Sequence, residues 1–152
     1  MKNNFKDNKD GTISDLATGL MWQQSDSKKA MSWQKSLSWV QQKNSENYLN
    51  YSDWRLPNAK EIQNIIDYSR SPQTTSSAAI NPLFAVTQIK DEGGKTNYPF
   101  YWSSTTHKHI SGGHAAVYVC FGEALGFFKP PFSFGKPIVL TNIPHITPYY
   151  GL

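Results

Sequence analysis

Two glycine turns eight residues apart, Asp10-Gly11 and Thr18-Gly19, constrain this chain more than any other feature. An Asp-Gly pair supplies the positive φ that a tight hairpin needs. Phe5 therefore leads into one strand, and Thr12-Ile13-Ser14 returns beside it. The second turn sends Leu20-Met21-Trp22-Gln23 back as a third short strand, with Leu20 and Trp22 on one face and Met21 and Gln23 on the other. The opening is an antiparallel meander, followed by a polar connection from Ser25 to Lys29.

Helical signals come next. Ser32 is a good N-cap for a helix running to about Asn44, and Trp33, Leu37 and Val40 recur on one helical face, which should meet the core. In Asp53-Trp54-Arg55-Leu56-Pro57, Trp54 and Leu56 read as core anchors, while Arg55 ties down a loop or pairs with Asp53. Pro57 cannot lie inside a helix, but Asn58 is a strong N-cap and Glu61 stands at the capping-box position. A second helix from Ala59 to about Ser69 would bury Ile62, Ile65 and Ile66. Residues 70–96 read as a long irregular loop anchored at Leu83-Phe84, and loops of that length in a compact domain usually carry function.

Beyond the loop, Tyr101 to Thr106 and Ala115 to Phe121 read as an antiparallel pair joined through Ser111-Gly112-Gly113, with Leu125 to Phe128 as a further strand. Pro130, Pro131, Pro137, Pro144 and Pro148 then predict an irregular tail with one edge strand at Ile138 to Thr141.

Composition narrows the function. Aromatic residues make up 14% of the 152 residues and charged ones only 17%, so the core is built from large rings. The formal charge is +4, but the lysines are scattered and only Arg55 and Arg70 accompany them, which argues against a nucleic-acid partner. The single cysteine, Cys120, excludes an internal disulfide and a multi-cysteine zinc site, and its place mid-strand suits core filling better than nucleophilic chemistry. No apolar run is long enough to span a membrane, and the charged, Asn-rich start is unlike a signal peptide, so neither is expected here. With no nucleophile elbow, phosphate-binding glycine loop or dinucleotide fingerprint, no catalytic residue and no cofactor is expected.

Two clusters invite a sharper reading. Asp7, Asn8 and Asp10 before Gly11 suggest calcium, but the register of a calcium loop would put Lys6 first and Ala17 last, so a plain hairpin turn is expected. His107, His109 and His114 could converge across a hairpin, yet without a carboxylate partner they suit a binding tip better than a metal. Trp102 beside Ser103 and Ser104 offers a ring and short hydroxyls matching a sugar's apolar face and OH groups, with core packing as the competing role. The expected ligand-binding set is Trp102, Ser103, Ser104, His107, Lys108, His109 and His114. The 70-to-97 loop and the 106-to-114 hairpin would form its surface.

Three stretches together carry a family resemblance. They are Asp7 to Thr12 through Thr18 to Gln23, then Tyr51 to Asn58 with Glu61 and Ile62, then Tyr101 to Thr105. In order and spacing the chain resembles the Lcl C-terminal domain family, named for the Legionella collagen-like protein, over roughly residues 5 to 128. The resemblance implies an α+β, C-type-lectin-like fold: a small antiparallel sheet, two flanking helices and long loops, in an exported or surface bacterial protein. It implies binding of a glycan or other cell-surface partner; apart from the resemblance, the alternative expectation is a structural or assembly module, such as a homo-oligomeric, trimerising end domain of a longer surface protein. Family members usually close with a strand ending in a Val-Arg-type motif, whereas Lys129-Pro130-Pro131-Phe132 stands here. Residues 1–128 thus form the family-like domain, and 129–152 a divergent Pro-rich tail, either a lineage-specific ending or an altered reading frame.

Overall fold

The meander forms as the turns require. In the computed structural model, which describes residues 4–91, 93–108, 114–123 and 141–142, β1 (Phe5–Asp7), β2 (Thr12–Asp15) and β3 (Leu20–Gln23) pair antiparallel in sequence order. Gly11 takes a φ of 87° at the first turn, and the Leu49 side chain lies 2.9 Å from where a Cβ would stand. The first turn ties itself together: Asp10 Oδ1 accepts from the Thr12 amide at 2.9 Å and its hydroxyl at 2.6 Å, and Asp7 Oδ1 accepts from the Lys9 amide at 2.8 Å. These carboxylates serve the hairpin itself.

A fourth strand, β8 (Thr141–Asn142), pairs antiparallel with β3, giving the order β1-β2-β3-β8. Of the edge strand expected at Ile138 to Thr141, Thr141 lies in β8, and residues 138–140 lie outside the described residues. Leu125 to Phe128, the Ser111-Gly112-Gly113 turn and the rest of the Pro-rich tail lie outside the described residues. Both faces of β3 are covered. Trp22 joins a large cluster with Ile13, Ile62, Ile80, Tyr101 and Phe121, while Met21 joins a smaller one with Val40, Trp54 and Leu56.

The first helix, α1 (Trp33–Ser45), starts at Ser32, whose hydroxyl accepts from the Lys35 amide at 3.3 Å. Its inward face differs from expectation. Ser36 and Val40 are buried, whereas Leu37 is 38% exposed. Ser36 is small and returns its hydroxyl to the Ser32 carbonyl at 3.0 Å, so the helix can approach the core closely along that line. Farther along, Asn44 grips both backbone groups of Trp54, accepting from its amide at 2.7 Å and donating to its carbonyl at 2.8 Å.

The second helix, α2 (Ala59–Asn64), has the expected capping box but is shorter than expected. Ile65 caps it, and Ile66 leaves to bridge Ile80 on the following segment, so tertiary pairing overrides continuation toward Ser69. Arg55 does not pair with Asp53 in an ion pair; it forks onto Glu61 with two contacts of 2.8 Å. That guanidinium, helped by the Asn58 amide, holds the Glu61 carboxyl below its ordinary range against the opposing effect of burial. Replacing Glu61 by Gln should lower stability by about 1 kcal/mol at pH 7, solvent screening at this part-exposed pair keeping the effect small. Because the folded pKa is depressed, the contribution is present above the unfolded value of about 4.3 and is lost as pH falls through the folded one. Urea denaturation at pH 7 and pH 3 checks this; an equal penalty at both would assign it to packing instead.

The segment 70–96, expected to be irregular, is stitched to the core. It contains the single-turn α3 (Pro72–Thr75) and the hairpin β4 (Ile89–Lys90) with β5 (Thr96–Asn97), and it buries Ala78, Ile80 and Phe84. Its principal fastening is Asp26, 6% exposed. Asp26 accepts from the Thr87 amide and hydroxyl at 2.7 Å each, from the Tyr101 hydroxyl at 2.6 Å and from the Lys28 amide at 3.0 Å. Burial and this carboxylate push the Tyr101 hydroxyl far above its usual pKa, so it remains a donor.

The long hairpin of β6 (Phe100–Lys108) and β7 (His114–Cys120) completes the fold, with Phe100 opposite Cys120, Lys108 opposite His114 and a register shift between Trp102 and Thr106. The chain is thus a mixed α+β fold of small antiparallel sheets and a few helices. Among the described residues no helix is long and apolar enough to cross a membrane.

Candidate ligand-binding cleft

A cleft of about 480 Å³ opens where the 70–97 segment meets the end of the β6–β7 hairpin. One wall is α3, contributing Pro72, Gln73 and Ser76. The opposite wall is the β4–β5 hairpin, contributing Gln88, Asp91, Lys95 and Thr96, and the remaining lining comes from Tyr98 and Glu123.

Each wall has a local cause. Ser71 caps α3 by accepting from the Thr74 amide at 3.1 Å, and Ser76 ends it with a left-handed φ of 51°. Asp91 shapes the hairpin turn: its Oδ1 accepts from the Lys95 amide at 2.8 Å, its carbonyl accepts from the Gly94 amide at 3.0 Å, and Gly94 takes a φ of 77°. Lys90 reaches across the strand pair to donate to the Thr96 hydroxyl at 2.8 Å.

The floor is held by Asn97, 6% exposed. Its Oδ1 accepts from the amides of Tyr98 and Glu123 at 2.8 Å each, and its Nδ2 donates to the Glu123 carbonyl at 3.1 Å. The two segments come so close that a Cβ on Gly122 would lie 2.7 Å from both the amide nitrogen and the carbonyl oxygen of Tyr98. Tyr98 is 5% exposed, and its hydroxyl accepts from the Gln88 amide at 3.4 Å.

The lining is rich in hydrogen-bonding groups of both polarities. The three ion pairs among the described residues, Asp7 with Lys9, Lys43 with Glu46 and Arg55 with Glu61, all lie elsewhere. Close by, burial pushes the Cys120 thiol upward and outweighs the Gly122 amide, which donates to its sulfur at 3.3 Å and acts the other way, so it persists as a thiol. No group of three His, Cys, Asp or Glu residues among those described could hold a metal ion.

A profile of the Lcl C-terminal domain matches residues 11–132. The chain belongs to the Lcl C-terminal domain family. No curated protein and no solved structure matches it. The match spans β2 to β7 and takes in every residue lining the cleft, so the cleft lies wholly within the Lcl C-terminal domain.

Most of the residues expected to bind ligand lie elsewhere in the Lcl C-terminal domain. Trp102 is half-buried, donates its indole N–H to the Met31 carbonyl at 2.9 Å and packs edge-on to Tyr118 and against the smaller core cluster. Ser103 is fully buried, donating its hydroxyl to the Val117 carbonyl at 2.8 Å while its own carbonyl accepts from the Trp33 indole at 2.9 Å. Ser104 is exposed, with its amide bound to the Pro57 carbonyl at 2.8 Å. His107 and Lys108 are exposed at the far end of β6, where Lys108 faces His114 in register; His109 lies outside the described residues.

Lys108 stands eight residues beyond Phe100, roughly 25 Å along the strand, whereas the cleft sits at the Phe100 end. Sequence reasoning passed over Gln73, Gln88, Lys95, Tyr98 and Glu123 as individual site residues. The Asp91-Glu92-Gly93-Gly94 turn signal was the clue that this stretch folds back on itself.

Proposed function

We propose that this Lcl C-terminal domain is a non-catalytic ligand-binding module that takes a glycan in the cleft between α3 and the β4–β5 hairpin. The setting we propose is a bacterial surface or exported protein, and the arrangement of helices around small antiparallel sheets with a long functional segment is read as C-type-lectin-like. The observation that carries the proposal is the cleft itself: about 480 Å³, within the size range of small-ligand sites, and walled by amides, hydroxyls, carboxylates and an ammonium. Such a wall matches the mixed donors and acceptors of sugar hydroxyls.

The non-catalytic reading draws on how the reactive groups nearby are used. Asp91 is engaged in holding a turn together and the half-buried Cys120 persists as a thiol, and this use of the two groups supports binding over catalysis.

The test is a glycan array followed by calorimetry on variants. Gln73→Ala and Glu123→Gln should each weaken binding about tenfold, the loss expected for one hydrogen bond involving a charged or amide group. Lys108→Ala, at the distant hairpin tip, should leave affinity unchanged. The reverse pattern would return the ligand to the tip. A stable oligomer in light scattering that binds no saccharide would favour an assembly module instead.

A further inference from the structure

We infer that Tyr98 and Gln88 form a directed hydrogen-bonding pair that sets the specificity of the cleft. The Tyr98 hydroxyl donates to one sugar oxygen, and the Gln88 side-chain carbonyl accepts from the hydroxyl beside it. This inference rests on the glycan-binding reading above. Both residues line the cleft, and they meet there: Gln88 Nε2 donates to the Tyr98 hydroxyl at 3.4 Å.

A phenol hydroxyl can accept one hydrogen bond while it donates another. Gln88 fills the accepting side. Among the described residues none accepts the phenol's own proton, although Tyr98 is only 5% exposed and buried polar groups are as a rule satisfied. That proton is left for what the cleft holds. Gln88 is exposed, and with Nε2 committed to Tyr98 its Oε1 has no donor among the described residues. A donor and an acceptor side by side match two neighbouring hydroxyls on a sugar ring. A sugar lacking the oxygen opposite Tyr98 would leave a buried donor unmet, and a site built to bond a hydroxyl discriminates strongly against the analogue without it. Tyr98 is too buried to offer an open ring face for stacking, so its contribution comes through the hydroxyl.

The discriminating experiment is calorimetry on the whole chain with maltose, cellobiose, mannobiose and galactobiose and the monodeoxy analogues of each. For the disaccharide that binds tightest, one monodeoxy analogue should bind about tenfold more weakly than its parent. Tyr98→Phe should weaken the parent by about the same factor and bind parent and analogue equally well, with Tm unchanged. Gln88→Glu is the second variant. Its carboxylate would take the Tyr98 proton and turn the donor away from the ligand, so affinity should again fall about tenfold while the fold is retained. If Tyr98→Phe keeps the parent's affinity or still rejects that analogue, the inference is overturned while glycan binding stands. Wild-type affinity in Gln88→Glu overturns it equally, and decides the matter alone should the phenylalanine variant fail to fold. Binding of none of these saccharides sinks the glycan reading and this inference together.

Discussion

Replacing Asp26 by Ala should cost the domain about 3–4 kcal/mol, seen as a fall in Tm of roughly 10 °C. Three segments meet at this carboxylate. The linker after β3 supplies Asp26 and the Lys28 amide, the segment before β4 supplies Thr87, and β6 supplies Tyr101. Removing the carboxylate leaves the Tyr101 hydroxyl and the Thr87 amide as donors without an acceptor in a nearly dry place, and it is the unmade bonds that set the penalty. Asp26→Asn keeps the shape and one accepting oxygen, so roughly half the loss is expected. Thermal and urea unfolding of both variants decide the matter. A loss below about 1 kcal/mol for the alanine variant would mean that Asp26 does not fasten the segment.

Gly122→Ala should be nearly as damaging, at about 2–3 kcal/mol, and should abolish ligand binding as well. The added methyl would meet the Tyr98 backbone at 2.7 Å on two atoms, together with the Asn97 side-chain oxygen. A flexible side chain could turn away from such a contact, but a backbone tied to Glu123 through the Asn97 side chain has little room to move. Gly19→Ala is the informative control. Nothing lies within 4 Å of its new Cβ, and only the φ of 72° opposes it, so it should cost about 1 kcal/mol and leave the cleft intact. Equal effects from the two substitutions would assign the penalty to backbone conformation rather than to crowding at the floor of the cleft.

Local chemistry was legible in the sequence and long-range pairing was not. The glycine turns, the Ser32 and Asn58 caps and the Glu61 capping box are short-range devices, and each forms where the residues call for it. The β6–β7 pairing and the core roles of Trp54 and Leu56 were equally readable from apolar alternation and flanking breakers. The inward face of α1 was misassigned because periodicity ranks Leu37 above Ser36, while the helix approaches along its small residue. The second helix stops early because Ile66 has a better partner in Ile80, a neighbour that no local pattern announces. The cleft was hidden for the same reason. Its floor depends on Asn97 reaching Glu123, twenty-six residues away, and on a glycine whose value appears only once both strands are in place.

The third strand makes misfolding self-defeating. Met21 and Trp22 are consecutive, yet they serve separate hydrophobic centres on opposite sides of the sheet. Sliding that strand by one position would present the indole to the space shaped for a thioether and leave the larger centre underfilled, with every alternate side chain reversed. Few nearby arrangements can satisfy both compartments at once, so the correct alignment is chosen by volume as much as by hydrogen bonding.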